Sequence, residues 1–288
     1  MILPEFILTS RQNKIWTNSG MDTFDDCFDK KHFKNYPFPI TYNYNSRGFR
    51  DTEWPTTINE LKECIWCFGD SFTVGIGSPI EHTWVNLLQS QCKLRCINVS
   101  LDGASNKWIA RKVIDVLKII APKLIVIQWS YINRDEIANN TLTDEDRRLK
   151  FAFENINQLK TNNYKLLNAV ELQKNQCKII HSFIPHATCL DSKHILAIWN
   201  EIKGDSWPDL PKNLMEFNCL SKNIITELND FFNVYELFIS YYQLIDCITY
   251  IPEIVQLDWA RDGHHYDIIT ATTFVDQLEN LISDLQLT

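Results

Sequence analysis

Cys64-Ile65-Trp66-Cys67-Phe68-Gly69-Asp70-Ser71-Phe72 is the stretch whose reading decides the fold. Its first five residues are apolar without a break and stop at a glycine. That pattern marks a short strand buried on both faces, as in a parallel sheet. A serine just past the end of such a strand lies where open α/β sheets gather their chemistry, outside the carboxyl ends of the strands. The glycine before it allows a sharp turn that presents the hydroxyl.

The same logic extends downstream. Arg95 to Ser100 reads as a second strand, Leu124 to Trp129 as a third, and Cys177 to Ile184, stopped by Pro185, as a fourth. Helical patterns separate them. Ser78-Pro79-Ile80-Glu81 has the form of a capping box with proline in the first helical position, followed by a face of Trp84, Leu87 and Leu88. Ser105 is a good N-cap for a helix burying Ile109, Val113, Val116, Leu117 and Ile120. A long helix is expected from about Asp144 to Leu172. A closing helix carries Ala271, Phe274, Val275, Leu278, Leu281, Ile282 and Leu285, with Asp267 as its nearest cap. Strands alternating with helices predict a three-layer α/β/α sandwich of the flavodoxin-like kind with about five parallel strands. The fifth strand has no clear place in residues 186–258, which hold helical pieces around Leu220 to Phe232 and Pro/Trp-rich turns at Trp207 to Pro211. Residues 1–60 are aromatic-rich and broken by turn signals. They are expected to form an irregular lead-in packed on a main domain of residues 61–288, since linkers are poor in aromatics.

A chain of 288 residues can bury a full core. Its net charge of −8 argues against a general nucleic-acid binder, which needs dense Lys/Arg surfaces. No apolar run approaches a membrane span, and Pro4 and Glu5 interrupt the apolar start, which makes a poor signal peptide. The nine cysteines are an odd count. Cys64 and Cys67 have C-x-x-C spacing, but on a strand a spacing of three points side chains to opposite faces, so buried structural thiols are expected. Free thiols and the missing signal suggest a cytoplasmic setting.

Near the other end stands Asp262-Gly263-His264-His265. By itself Gly69-Asp70-Ser71 is a weak signal, since a strand-end turn uses the same residues for capping. Asp262 and His265 alone could be a polar loop before a helix. A metal cluster of Asp262, His264, His265 and Asp267 is disfavoured, because two adjacent histidines rarely converge on one ion. Together the pieces say more: a hydroxyl, an imidazole and a carboxylate are the parts of a nucleophilic triad, and all sit in loops at one sheet edge. Gly103 follows the second strand there, and Ser130 and Asn133 follow the third. A glycine N–H and an asparagine amide are both donors to an oxyanion. Arg47 and Arg50 are candidates for an anionic ligand but more often pair internally. His181 reads as core-adjacent, His186 as a rim residue, and Trp129 as either core or pocket lining.

These blocks resemble the SGNH, or GDSL-type, esterase and acylhydrolase family. Gly69-Asp70-Ser71 is similar to its nucleophile block, Gly103 to its second-block glycine, and Asp262-Gly263-His264-His265 to its D-x-x-H block. Asn45-Ser46-Arg47-Gly48-Phe49-Arg50 resembles an N-x-x-G-F-R segment found upstream of the nucleophile in a subset of that family, including some proteins of polysaccharide O-acetyl chemistry. The resemblance implies Ser71 as nucleophile, His265 as base, Asp262 as its partner, and the N–H groups of Ser71 and Gly103 as oxyanion donors. The family's third block, usually G-x-N-D, is altered to Gln128-Trp129-Ser130-Tyr131-Ile132-Asn133-Arg134, leaving Asn133 or Ser130 as the third donor. The implied activity is hydrolysis of a short, acetyl-like ester on a small molecule or carbohydrate, with no cofactor and no metal. The alternatives are an O-acetyltransferase on the same triad, or a catalytically silent glycan-binding or structural module. Oligomeric state is not written in the chain.

Overall fold

The structure is a computed structural model that describes residues 6–27, 29–131, 156–174, 177–187, 249–250 and 254–285. The expected helix around Leu220 to Phe232 and the start of the one from Asp144 lie outside these residues.

The decisive apolar run forms strand β1, Ile65–Gly69, buried along its whole length. Strands β2 (Cys96–Ser100), β3 (Leu124–Trp129) and β4 (Lys178–Phe183) follow, and Thr249–Tyr250 forms a short β5. All pair in parallel in the order β2-β1-β3-β4-β5. Chain order reverses direction across β1, so the crevice for a ligand lies beside its carboxyl end.

Helices in chain order are α1 (Lys30–Asn35), α2 (Ile58–Lys62), α3 (Ser71–Val74), α4 (Trp84–Cys92), α5 (Asn106–Ile119), α6 (Ile156–Gln173) and α7 (Ile268–Asp284). The period-two alternation of the strands sorts the core into two layers. Trp66, Phe68, Ile125 and Ile127 point to one face, where Ile109, Val113 and Val116 of α5 and Leu167 and Val170 of α6 cover them. Ile65, Cys67, Leu124 and Val126 point to the other, under Trp84 and Leu88 of α4 and Phe274, Val275 and Leu278 of α7. The result is a three-layer α/β/α sandwich. Each large apolar side chain buried this way contributes roughly 1.5–3 kcal/mol. Cys64 and Cys67 fall in opposite layers, as the spacing of three requires. Burial pushes the Cys64 thiol up to about 11 and the Cys67 thiol well above its usual value, as inert core groups.

One cap expectation is corrected and another holds by position only. Ser78 caps no helix: Ile80–His82 is a single 3-10 turn, and α4 starts later, after Thr83. The Ser78 hydroxyl donates instead to Asp267 Oδ1 at 2.9 Å, a partner far along the chain. Asp267 stands at the N-cap of α7, as expected, but its side chain makes no cap hydrogen bond. Asp258 takes that role, accepting from the N–H groups of Asp267, Ile269 and Thr270 at 3.1, 2.7 and 3.1 Å. A capping box does form at α2, between Thr57 and Glu60.

The N-terminal segment packs on the sandwich through a chain of aromatic rings. Phe6 and Trp54 meet Trp66 of β1 at 5.9 and 5.4 Å, and Phe49 stacks on Trp54 at 5.2 Å. Asn45 ties the turn before Phe49, its Oδ1 accepting from the N–H groups of Arg47 and Phe49 at 3.0 and 3.1 Å. No helix among the described residues is long and apolar enough to cross a membrane.

Candidate active site

Ser71 is carried at the carboxyl end of β1, on the first residue of the four-residue helix α3. Asp70 makes the turn: its Oδ1 accepts the Phe72 N–H at 3.0 Å, and its Oδ2 accepts the Ser130 hydroxyl at 2.6 Å. The far end of α3 is held by Arg50, which is 2% exposed and therefore no surface anion binder. Its NH1 donates to the carbonyls of Val74 and Gly75 at 3.0 and 2.6 Å, and its NH2 to that of Ser78 at 2.9 Å. The guanidinium thus satisfies carbonyls that a short helix leaves without intrahelical partners. Beneath α3, Thr73 donates to Gln128 at 3.0 Å and receives the Trp84 ring N–H at 3.2 Å, which fixes the turn to β3 and α4.

The acid–base pair lies in the loop entering α7. Asp262 Oδ1 accepts the backbone N–H groups of His264 and His265, each at 3.1 Å, and this turn brings the two side chains of a D-x-x-H spacing together. Asp262 Oδ2 then meets His265 Nδ1 at 2.5 Å. Asp262 is completely buried and His265 is 4% exposed. Burial alone would push the Asp262 carboxyl up, but the charge and hydrogen bond of His265 outweigh it and hold it at about 2. Burial would likewise lower His265, yet Asp262, with lesser help from Asp102 and Asp70, raises it above the ordinary imidazole value. With Nδ1 donating to a carboxylate, the lone pair of the neutral ring sits on Nε2. That Nε2 is buried and has no hydrogen-bond partner among the described residues.

Ser71 lies between two residues that act on this ring, Phe72 by contact at 4.5 Å and Asp70 by charge. Phe72 also touches His264, at 5.5 Å, but it is His265 whose ring is paired to the carboxylate. Among the described residues, neither the Ser71 nor the Gly103 N–H is bonded to another protein group. Gly103 has φ +72, and a Cβ added there would meet nothing within 4 Å, so open space adjoins its backbone.

Of the two third-block candidates, Ser130 has its hydroxyl on Asp70 and its N–H on Asn106 Oδ1 at 2.7 Å, which explains its burial without an oxyanion role. Asn133 lies outside the described residues. Trp129 is core, stacked on His181 and donating to its Nδ1 at 3.0 Å. Asp267 turns away from Asp262 toward Ser78 and His82. The sequence reading missed Asn106, whose amide also donates to the Ser130 carbonyl at 2.8 Å, and Arg261, whose role depends on a residue 239 positions away. An asparagine just inside an N-cap carries no local mark of such a contact.

No protein-family model matches this chain, and no curated protein matches it. Among solved structures the chain is similar to TesA, at 14% identity over 77% of this chain and 99% of that one, with a TM-score of 0.45. It is similar to a carbohydrate acetylesterase family member from Sinorhizobium meliloti, at 14% identity over 76% and 97%, with a TM-score of 0.45. It is also similar to a GDSL-like lipase from Bacteroides thetaiotaomicron, at 14% identity over 81% and 93%, with a TM-score of 0.41. At these values the site stands on its own geometry.

Proposed function

We propose that this protein is a serine ester hydrolase that works through an acyl-enzyme. The observation that carries the reading is His265: its Nδ1 is held by a buried carboxylate, and its buried Nε2 has no partner among the described residues, beside the turn that bears Ser71. A buried polar atom with no partner costs free energy, and such an atom is explained when it serves a reacting group.

Nε2 takes the Ser71 proton as Oγ attacks the ester carbonyl carbon. The carbonyl oxygen becomes an oxyanion, held by the N–H groups of Ser71 and Gly103 and by the Asn133 amide. The C–O bond to the alcohol breaks, and the imidazolium returns its proton to the leaving alkoxide. Water then attacks the acyl-enzyme, with His265 taking its proton and handing it back to Ser71 Oγ as the carboxylic acid leaves. Asp262 keeps the ring in the reactive tautomer and balances the imidazolium. The Ser71–His265 hydrogen bond is not made in this structure; such bonds tighten in the substrate complex.

Asp70 and Asp102 act on His265 by charge, and the Phe72 and His264 rings lie 4.5 and 4.9 Å from it. That setting fits a short, acetyl-like acyl group on a polar alcohol such as a sugar. If a sugar hydroxyl replaces water in the second step, the same groups perform acetyl transfer. The test is hydrolysis of p-nitrophenyl acetate by the native chain and by Ser71→Ala. The account expects loss of roughly 10⁴ to 10⁶ in turnover in a folded variant. Retained turnover would overturn the mechanism, and an inert native chain would favour the binding-module alternative.

A further inference from the structure

Arg261 immediately precedes the carboxylate of the acid–base pair, and its guanidinium is locked into the N-terminal segment. Nε and NH2 donate to Asp22 Oδ1 and Oδ2, both at 2.6 Å, while NH1 donates to the Phe38 carbonyl at 2.7 Å. The guanidinium also lies over the Phe33 ring at 4.6 Å. Asp22 is fully buried and Arg261 is 6% exposed. The network continues from Asp22 to the nucleophile side of the site. Tyr42 donates its hydroxyl to Asp22 Oδ2 at 2.6 Å and accepts the Gly77 N–H at 2.8 Å. Gly77 closes the ring, its carbonyl accepting the Arg261 N–H at 3.0 Å.

Gly77 stands just after α3, and the Ile76 N–H before it bonds to the Ser71 carbonyl at 3.2 Å. A Cβ on Gly77 would come within 2.9 Å of Ala260 Cβ and 3.1 Å of the Asp262 N, so the nucleophile loop and the acid–base loop meet backbone to backbone here. The ring of bonds through Asp22, Tyr42, Gly77 and Arg261 surrounds that meeting point. As a source of stability a buried ion pair is a poor choice, since well-packed apolar residues often do as well or better. As a source of geometry a bidentate pair is a good one, because its planar fork fixes both position and angle.

We propose that Arg261, clamped by Asp22 and Tyr42, is a positioning residue that sets the His265 base against Ser71, so that the N-terminal segment is a working part of the active site. The proposal rests on the hydrolase reading above. It implies that small errors in this clamp appear in turnover rather than in substrate binding, since a displacement of about 1 Å costs on the order of 10²-fold in rate.

The experiment compares Arg261→Lys and Tyr42→Phe with Arg95→Lys in the full chain. Arg95 pairs with Asp51 at 2.8 Å at the start of β2, at the sheet end opposite the site, and serves as the control for a lost part-buried ion pair. Expected is a fall in kcat for p-nitrophenyl acetate of about 10- to 100-fold in Arg261→Lys, a smaller fall in Tyr42→Phe, and KM within about twofold in both. Arg95→Lys should lower thermal stability with kcat nearly unchanged. A readout independent of turnover is the proton resonance of His265 Nδ1–H, which should move in Arg261→Lys and Tyr42→Phe and stay in Arg95→Lys. Folded variants with native kcat and an unmoved resonance would overturn the proposal, as would an equal loss of kcat in Arg95→Lys. If Arg261→Lys does not fold, Tyr42→Phe, which removes one hydroxyl only, decides by the same two readouts. If the native chain hydrolyses nothing, the hydrolase reading fails on its own, and the resonance still decides whether the clamp positions the pair.

Discussion

Replacing Asp262 by asparagine tests the acid–base pair atom by atom. In the native chain Oδ1 accepts two backbone N–H groups at 3.1 Å each, and Oδ2 faces His265 Nδ1 at 2.5 Å. An amide has one acceptor oxygen. The turn needs that oxygen at the Oδ1 position, because an NH2 group there would oppose two N–H donors. The NH2 therefore faces Nδ1 and donates to it. The ring must then carry its proton on Nε2, the atom meant to accept one from Ser71. Removing the carboxylate also removes the main force that raises the His265 pKa, so the ring becomes a weaker base. In a serine protease the same replacement leaves the geometry intact and lowers kcat by roughly 10⁴ through the wrong tautomer. We expect a loss of about that size in Asp262→Asn at neutral pH, with a folded chain, a lower His265 pKa and little change in KM. Steady-state hydrolysis of p-nitrophenyl acetate measures the first, and nitrogen NMR of the imidazole reads the tautomer directly. A folded Asp262→Asn that keeps a tenth or more of native kcat would refute the reasoning about this pair, as would an unchanged tautomer.

Other outcomes follow from the same geometry. The base must be neutral to act, and its pKa is raised above 6.5, so kcat/KM should rise with pH through a midpoint above that value. The Asp262 carboxyl is depressed from 3.8 to about 2, so its contribution to stability is present above 3.8 and lost as pH falls through 2, which acid unfolding checks. His265→Ala should be inactive and His264→Ala at most impaired, because it is the His265 ring that meets Asp262 Oδ2 at 2.5 Å. The proposed Asn133 oxyanion donor, which rests on the sequence alone, predicts that Asn133→Ala lowers kcat by roughly 10² to 10³ with KM nearly constant. Ser130→Ala strips a buried carboxylate of a hydrogen bond, so it should cost roughly 1–3 kcal/mol of stability, read by denaturant unfolding, with little effect on kcat.

What was legible in the sequence was local. β1 is an unbroken apolar run, β3 is apolar except for Gln128, and the structure ends both within a residue of the reading. The face of α5 followed from spacings of three and four. Ser71, Asp262 and His265 stood out because the nucleophile turn and the D-x-x-H turn are each built from a few consecutive residues. What was not legible depends on distant partners. Ser78 has the sequence of a cap, but Asp267, 189 residues on, takes its hydroxyl. The side-chain hydrogen bonds that cap α7 come from Asp258, ten residues before the helix, rather than from Asp267 at its N-cap, and no cap pattern would select that residue. β5 is two residues long, too short for any period to appear. Asp22, Tyr42 and Arg261 read as ordinary polar residues until the fold buries them against one another.

The most direct measurement is covalent labelling with an organophosphonate ester, followed by mass spectrometry of the digested chain. The account predicts a single adduct on the Ser71 peptide, forming with the same pH midpoint as hydrolysis and far more slowly in His265→Ala. An adduct elsewhere, or none on Ser71 while the native chain still hydrolyses ester, would contradict it.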